Sequence, residues 1–265
     1  MDSCPLCGSP NLQPAPLQPE PPFGLLQCGA CGGIALSPRP LRSAMGAYYD
    51  AYYGSEASAQ KSERQARRAT RHFSRLARHA RAGRLLEIGA GDGYFLDAAR
   101  RAGWTVEGLE LSQPRVARAQ EWFNLELKCA DLDHAPFPAE SFDAICMFQL
   151  IEHVHDPRNV LQRVHRLLRP GGVMMISTPN VLAYSRKNRG VNTWRIPRHL
   201  FFFTPRTLVR TVESLGFDVL RRSLKLYATI EERLGWQPWP SSTLLSGVTR
   251  DLWTPFGLHL IARKK

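Results

Sequence analysis

The chain has 265 residues, 43% of them hydrophobic and 22% charged, which allows one sizeable core and a minor appended module. No apolar run approaches the roughly 18 to 20 residues of a membrane span, and Met1-Asp2-Ser3-Cys4 opens without a basic and then apolar leader, so the sequence predicts a cytoplasmic protein. The formal charge of +12 invites a nucleic-acid partner, but arginine outnumbers lysine along the whole chain and no aromatics interleave the basic runs, which makes nucleic acid the less favoured partner.

Residues 1–40 read as a module of their own. Cys4-Pro5-Leu6-Cys7-Gly8 and Cys28-Gly29-Ala30-Cys31-Gly32 are two C-x-x-C knuckles separated by 20 residues. In a reducing compartment such pairs are metal ligands rather than disulfides, and four thiolates close a tetrahedron with no position left for water. The prediction is a zinc ribbon holding one structural Zn2+ through Cys4, Cys7, Cys28 and Cys31, with the metal supplying folding energy that so small a module lacks. A redox C-x-x-C sits at a helix start, and neither knuckle does.

Residues 41–83 read as a helical connector or lid that includes Tyr48, Tyr49, Tyr52 and Tyr53. From Arg64 to Arg84 the residues Ala66, Ala69, Phe73, Leu76, Ala77 and Ala80 recur at helical spacing among arginines, which predicts an amphipathic helix with a solvated basic face.

Over residues 84–265 short apolar runs alternate with helical patterns, the signature of βαβ units. Strands are expected at Arg84 to Ile88, Thr105 to Leu109, Glu126 to Cys129, Phe142 to Met147 and Val173 to Ser177, with final strands at Phe217 to Leu226 and Leu258 to Ala262. Tyr94 to Arg101 and Pro157 to about Leu168 are helices, Pro114 opens another, and Thr204-Pro205 supplies an N-cap and first helical residue. The fold class is therefore α/β, a Rossmann-like, seven-stranded, mostly parallel sheet with helices on both faces. Cys129 and Cys146 fall in predicted strands and read as core.

Glu87-Ile88-Gly89-Ala90-Gly91-Asp92-Gly93 lies between the first strand and its helix, where open α/β sheets bind ligands. A dinucleotide loop would carry a third glycine where Tyr94 stands. Asp92 and Glu87 would repel a pyrophosphate and suit a ligand bearing ammonium and sulfonium groups. Glu110 follows the second strand, where a carboxylate accepts hydrogen bonds from ribose hydroxyls, and Asp131 follows the third, where it could hold an adenine amino group.

At these residues the chain resembles class I S-adenosylmethionine-dependent methyltransferases. Phe142-Asp143-Ala144-Ile145-Cys146-Met147-Phe148-Gln149 is similar to that family's fourth-strand motif, Ile151-Glu152-His153-Val154 to the element after it, and Leu168-Arg169-Pro170-Gly171-Gly172 to the turn before the fifth strand. Ser177-Thr178-Pro179-Asn180 and Arg198-His199-Leu200-Phe201-Phe202-Phe203-Thr204-Pro205 resemble the branch of small-molecule O-methyltransferases that includes quinone biosynthesis. The resemblance implies S-adenosyl-L-methionine as cofactor. Glu87, Gly89 and Gly91 would line its methionine end, Glu110 the ribose, Asp131 and Leu132 the adenine, and Gln149 the wall beside the methyl group, with Asp92, Gly93 and Leu111 also among the cofactor-binding residues. Quinone-type members can carry a glutamate at the position of Gln149, completing a cation site. Gln149 is neutral, so no catalytic metal is predicted.

Methyl transfer is an in-line displacement, so the protein's task is to align the reactants and exclude water. An alcohol acceptor needs a base, for which His153 and His199 are the candidates. The favoured acceptor is a small molecule with an oxygen or carbon nucleophile, glycosyl, polyketide-like or quinone-like. The alternatives are a ribosomal or transfer RNA methyltransferase and a non-catalytic zinc-ribbon adaptor. Against the first, the fourth-strand motif lacks the N/D-P-P-Y pattern of base-amine methylation; against the second, the glycine turn and Glu110 are intact. Nothing in the sequence specifies an oligomeric state.

Overall fold

The computed structural model describes residues 1–16, 18–42, 59–181, 195–220 and 257–265. In chain order these form β1 (Leu12–Pro14), β2 (Gly24–Cys28), β3 (Ile34–Ser37), α1 (Ala59–Leu76), β4 (Arg84–Ile88), α2 (Tyr94–Arg101), β5 (Thr105–Leu109) and α3 (Gln113–Phe123). A 3₁₀ turn (Leu132–His134), β6 (Phe142–Phe148), α4 (Pro157–Leu167), β7 (Leu168–Pro179), β8 (Phe201–Phe202), α5 (Pro205–Glu213), β9 (Phe217–Val219) and β10 (Gly257–Lys264) follow. Six strands make one sheet in the order β5-β4-β6-β7-β10-β9, with β4 parallel to both β5 and β6. The α/β class expected from the sequence is present. Glu126 to Cys129 contributes only an isolated parallel bridge, Leu109 to Lys128, so the described sheet has six strands rather than seven.

The chain divides into two compact units, Met1–Arg39 with Gln149–Gln162 and Ile176–Ala262, and Pro40–Phe148 with Arg163–Met175 and Arg263–Lys265. In the second unit, β4 and β6 are buried almost without interruption, as strands covered on both faces must be. Leu85, Leu86, Phe142, Ile145 and Met147 form their core with Leu96 and Ala99 of α2. The basic helix α1 is amphipathic, but its buried stripe is Ala69, His72 and Leu76, with Phe73 half-buried and Ala66 and Ala77 exposed. The histidine belongs to this stripe because its ring stacks on Phe148, centroid to centroid 4.3 Å. Tyr48, Tyr49, Tyr52 and Tyr53, and with them the lid expectation, lie outside the described residues.

In the first unit a second sheet runs β1-β2-β3-β8. Its first three strands belong to the cysteine module and the fourth is the Phe201–Phe202 segment, paired antiparallel to β3 through Ile34 with Phe202 and Ala35 with Phe201. Thr204 caps α5 by accepting a hydrogen bond from the Thr207 N–H at 3.1 Å, with Pro205 in the first turn as the sequence predicts. Residues 221–226 of the predicted strand after Phe217 lie outside the described residues.

Candidate functional site

The turn between β4 and α2 places Gly89, Gly91 and Gly93 at φ of +74°, +59° and +86°, a region that side chains with a Cβ rarely adopt. Space requires glycine at the last of these as well, since a Cβ on Gly93 would lie 2.9 Å from Leu125 Cδ1 and 3.2 Å from Ala119 Cβ. The turn is tied to the end of β5. Leu109 O accepts from the N–H groups of Gly89 and Ala90, and the Glu110 carboxylate accepts from Gly91 N–H at 2.8 Å and Ser112 N–H at 2.9 Å. Glu110 is thus held at the edge of the turn by backbone donors.

Glu87 is 3% exposed, and its Oε2 has no hydrogen-bond partner among the described residues. Burial pushes its carboxyl well above the ordinary carboxylate range, and the nearby charge of Glu110 adds to this. A carboxyl left in that condition is suited to a cationic ligand group, which restores what desolvation removes. Asp92 is different. It is buried and paired with Arg118 at 2.8 Å, an interaction that fastens α3 to the turn. The turn itself carries no basic residue, but α3 brings Arg115 and Arg118 to it at i,i+3 spacing, and a Cβ on Gly91 would lie 3.5 Å from Arg115 Nη1. Those two arginines are site neighbours that sequence reasoning missed, although the shared helix face was a signal that could have found them.

Asp131 caps the 3₁₀ turn, accepting from the His134 N–H at 3.0 Å and pairing with the His134 ring and with Arg42. Partial burial raises its carboxyl, but the His134 hydrogen bonds and the Arg42 charge outweigh this, and the net direction is down. Leu132 is buried, whereas Leu111 is 53% exposed. Glu110 N–H donates to Lys128 O at 3.1 Å, and Cys129 Sγ lies 3.5 Å from Leu111 O, so the expected ribose and adenine residues stand on adjacent chain segments. Cys129 is exposed, not core, because its segment does not complete a strand; Cys146 is buried as predicted.

In the first unit, Gln149 sits at φ +53° and its N–H donates to Ser177 O at 2.7 Å. Three residues on, Glu152 is buried and its Oε2 accepts from the Thr178 hydroxyl at 2.9 Å. The His153 and His199 rings meet edge to face with centroids 4.8 Å apart. His153 Nδ1 lies 2.9 Å from Arg198 O, which assigns the proton to Nδ1 and leaves Nε2 as the basic nitrogen, 3.9 Å from Glu152 Oε1. Burial pushes His153 down to about 4, partly opposed by that hydrogen bond, with the charges of Arg198 and Arg195 adding to the fall. Burial likewise drives His199 down to about 2, reinforced by His153 and the same two arginines. Both imidazoles are neutral at pH 7. Glu152, His153 and His199 present ligand atoms within 4.8 Å of one another, a spacing a transition metal could use.

The four N-terminal cysteines also converge, with all sulfurs within 4.8 Å of one another and the Cys4–Cys31 and Cys7–Cys28 pairs at 3.6 Å. A tetrahedron with zinc–sulfur bonds of about 2.3 Å has edges of about 3.8 Å, so the donor set fits Zn2+. The two knuckles match. Gly8 N–H donates to Cys4 O at 2.7 Å and Gly32 N–H to Cys28 O at 2.8 Å, and both glycines have φ +76°. The hydrogen bond from Cys31 draws the Cys4 thiol down to about 5, towards the thiolate that a metal requires.

A family model described as a methyltransferase domain matches residues 60–222, well over half of the chain. The chain belongs to the methyltransferase-domain family. A Mycolicibacterium smegmatis protein named "Probable S-adenosylmethionine-dependent methyltransferase" is 34% identical over 149 residues, 56% of each chain. The Coxiella burnetii ubiquinone biosynthesis O-methyltransferase is 31% identical over 101 residues, 36% of this chain and 43% of that one. The methyltransferase-domain chain thus spans about half the length of the curated relatives it matches. In fold it is similar to a chain of the Haloferax volcanii complex containing the Trm112 methyltransferase activator, with TM-score 0.57 and 18% identity over 81% of this chain and 96% of that one. No helix among the described residues is long and apolar enough to cross a membrane.

Proposed function

We propose that this chain is an S-adenosylmethionine-dependent methyltransferase whose acceptor is a small molecule with an acidic hydroxyl or its carbon equivalent, a phenol or enol of quinone-like or polyketide-like type. The observation that carries the cofactor reading is the pairing of a buried, unsatisfied Glu87 oxygen with a Glu110 carboxylate fixed by Gly91 and Ser112. Glu87 would take the ammonium group of the donor, Glu110 the ribose hydroxyls, and Leu111, Asp131 and Leu132 the adenine. Gly89, Gly91 and Gly93 keep the turn open for the methionine end, and Asp92 acts by holding α3 to the turn through Arg118. When bound, the donor supplies an electrophilic methyl carbon on a cationic sulfur.

The histidines support this acceptor class. A base held at about 4 or about 2 gives little drive for removing a proton from an alcohol. An acceptor that is already acidic needs less help, and the guanidiniums of Arg195 and Arg198, whose charges act on both rings, favour its anion. His153, the less depressed of the two imidazoles, would accept the proton, with His199 orienting the acceptor. A glycosyl hydroxyl is the less suited member of the predicted set. The test is a mass-spectrometric search for metabolites that gain one methyl mass, with phenols, enols and sugar nucleotides in parallel. Methylation confined to the sugars would overturn the acceptor class.

The RNA reading rests on the zinc-ribbon spacing and the basic charge, to which Arg64, Arg67, Arg71 and Arg78, all exposed on or just beyond α1, contribute. Methylation of ribosomal or transfer RNA with apparent affinity falling by orders of magnitude between about 50 and 200 mM salt would replace the small-molecule reading.

A further inference from the structure

The cysteine module does not stand alone. Its sheet is completed by β8, which begins two residues after His199, and Leu36 N–H donates to Leu200 O at 2.9 Å. The same stretch is held on its other side by the chain that carries the second histidine, since Leu200 N–H and Phe201 N–H both donate to Glu152 O, at 2.7 and 3.2 Å. Each knuckle also grips a helix start. Leu6 O, inside the first knuckle, accepts from Arg158 in the first turn of α4 at 3.0 Å, and Cys31 O, in the second, lies 3.5 Å from the hydroxyl of Thr207 in the first turn of α5. Arg39, at the end of the module, donates to His155 O.

The elements that present Glu152-His153 and His199 therefore meet the ribbon at four places, two of them carbonyls within the metal-binding knuckles. A C-x-x-C knuckle without its metal has little to fix its backbone, because a module this small has few core residues. Its carbonyls would then offer Arg158 and Thr207 no defined position, and β8 would lose the edge of β3.

We propose that the ribbon is a positioning element for the histidine cluster, so that metal loading at Cys4, Cys7, Cys28 and Cys31 sets the placement of His153 and His199 while the glycine-turn site does not depend on it. Arg158 is the positioning residue that transmits this for α4. The turnover part rests on the methyl-transfer reading, whereas the structural part does not, so the two can fail separately.

The experiment compares the full chain loaded with Zn2+, the same chain stripped by a chelator, and a zinc-loaded Arg158→Gln variant. Amide hydrogen exchange is read over residues 198–203, with β4 as internal reference, and donor affinity by calorimetry. In the stripped chain, exchange over 198–203 should rise at least tenfold, with β4 protection and donor affinity within about twofold of the loaded protein. Arg158→Gln should keep its zinc, show raised exchange over 151–156, and lose acceptor turnover tenfold or more through kcat with donor affinity unchanged, and Arg158→Lys should restore most of it. Unchanged exchange in the stripped chain overturns the proposal. Loss of donor binding together with β4 protection overturns it too, because the ribbon would then support the whole fold and not this cluster.

Discussion

Replacing Glu87 by glutamine should make the cofactor-free protein more stable and the donor bind more weakly. The carboxyl is 3% exposed, one oxygen has no partner among the described residues, and burial raises its pKa well above the usual range. A group whose folded pKa is raised binds more protons folded than unfolded. Its contribution to stability is complete below the unfolded value and is lost as pH rises through the folded one. At pH 7.5 the wild-type side chain therefore carries a desolvation cost that a neutral amide avoids. An unsatisfied buried polar group costs about 1–3 kcal/mol, so a gain of about 1 kcal/mol is expected, or about 2–4 °C in melting temperature for a domain of this size. The same change removes a charge-assisted hydrogen bond to the donor's ammonium, worth about 1.5–3 kcal/mol, which weakens binding about 10- to 150-fold. Differential scanning fluorimetry and calorimetry on one preparation read both effects. Donor affinity of the wild type should also fall as pH drops through the raised carboxyl value, while that of Glu87→Gln should be flat. A variant that is less stable and binds the donor as tightly as wild type would refute the reasoning, because Glu87 would then be a satisfied core acid.

Elemental analysis should find one zinc per chain, and Cys28→Ser should lose it, since three thiolates no longer close the tetrahedron; a wild-type protein free of metal with a folded ribbon would contradict this. Replacing Arg64, Arg67, Arg71 and Arg78 by glutamine should leave donor affinity and turnover within about twofold, because these exposed side chains lie away from the buried stripe of α1. A large loss of turnover with added salt dependence would favour a polyanionic acceptor. His153 and His199 are held at about 4 and about 2, below the ordinary 6.5, so the folded chain binds fewer protons than the unfolded one in that window. The stability tied to them is complete above pH 6.5 and falls as pH drops towards 4 and below. Denaturant midpoints of the His153→Asn, His199→Asn double variant should lose less between pH 7 and 5 than those of the wild type.

The sheet was legible because its strands are short apolar runs set between helical patterns. The bounds of β4, α2 and β5 agree residue for residue with the sequence pattern, and the Thr204 cap follows from a local hydrogen bond that needs no tertiary partner. Glu126 to Cys129 was not legible as a bridge, since an edge segment's pairing depends on its neighbour rather than on its own composition. Charge was harder to read than pattern. Asp92 and Glu87 are equivalent acids in sequence, and only packing shows that Arg118 pairs with one while an oxygen of the other has no hydrogen-bond partner among the described residues. The cysteine pairs announced through their spacing a cluster of four thiols, whose sulfurs all lie within 4.8 Å of one another. That the ribbon shares a sheet with Phe201 and Phe202 could not be read, because the partners are more than 160 residues apart and a two-residue strand carries no periodicity.

Calorimetric titration of the purified chain with S-adenosylmethionine tests the central claim most directly. The account predicts one site with micromolar affinity for the donor and for its demethylated product, binding at least a hundredfold weaker in Glu110→Ala, and no comparable heat with NAD. Tighter binding of NAD than of the methyl donor, or donor binding indifferent to Glu110→Ala, would contradict it.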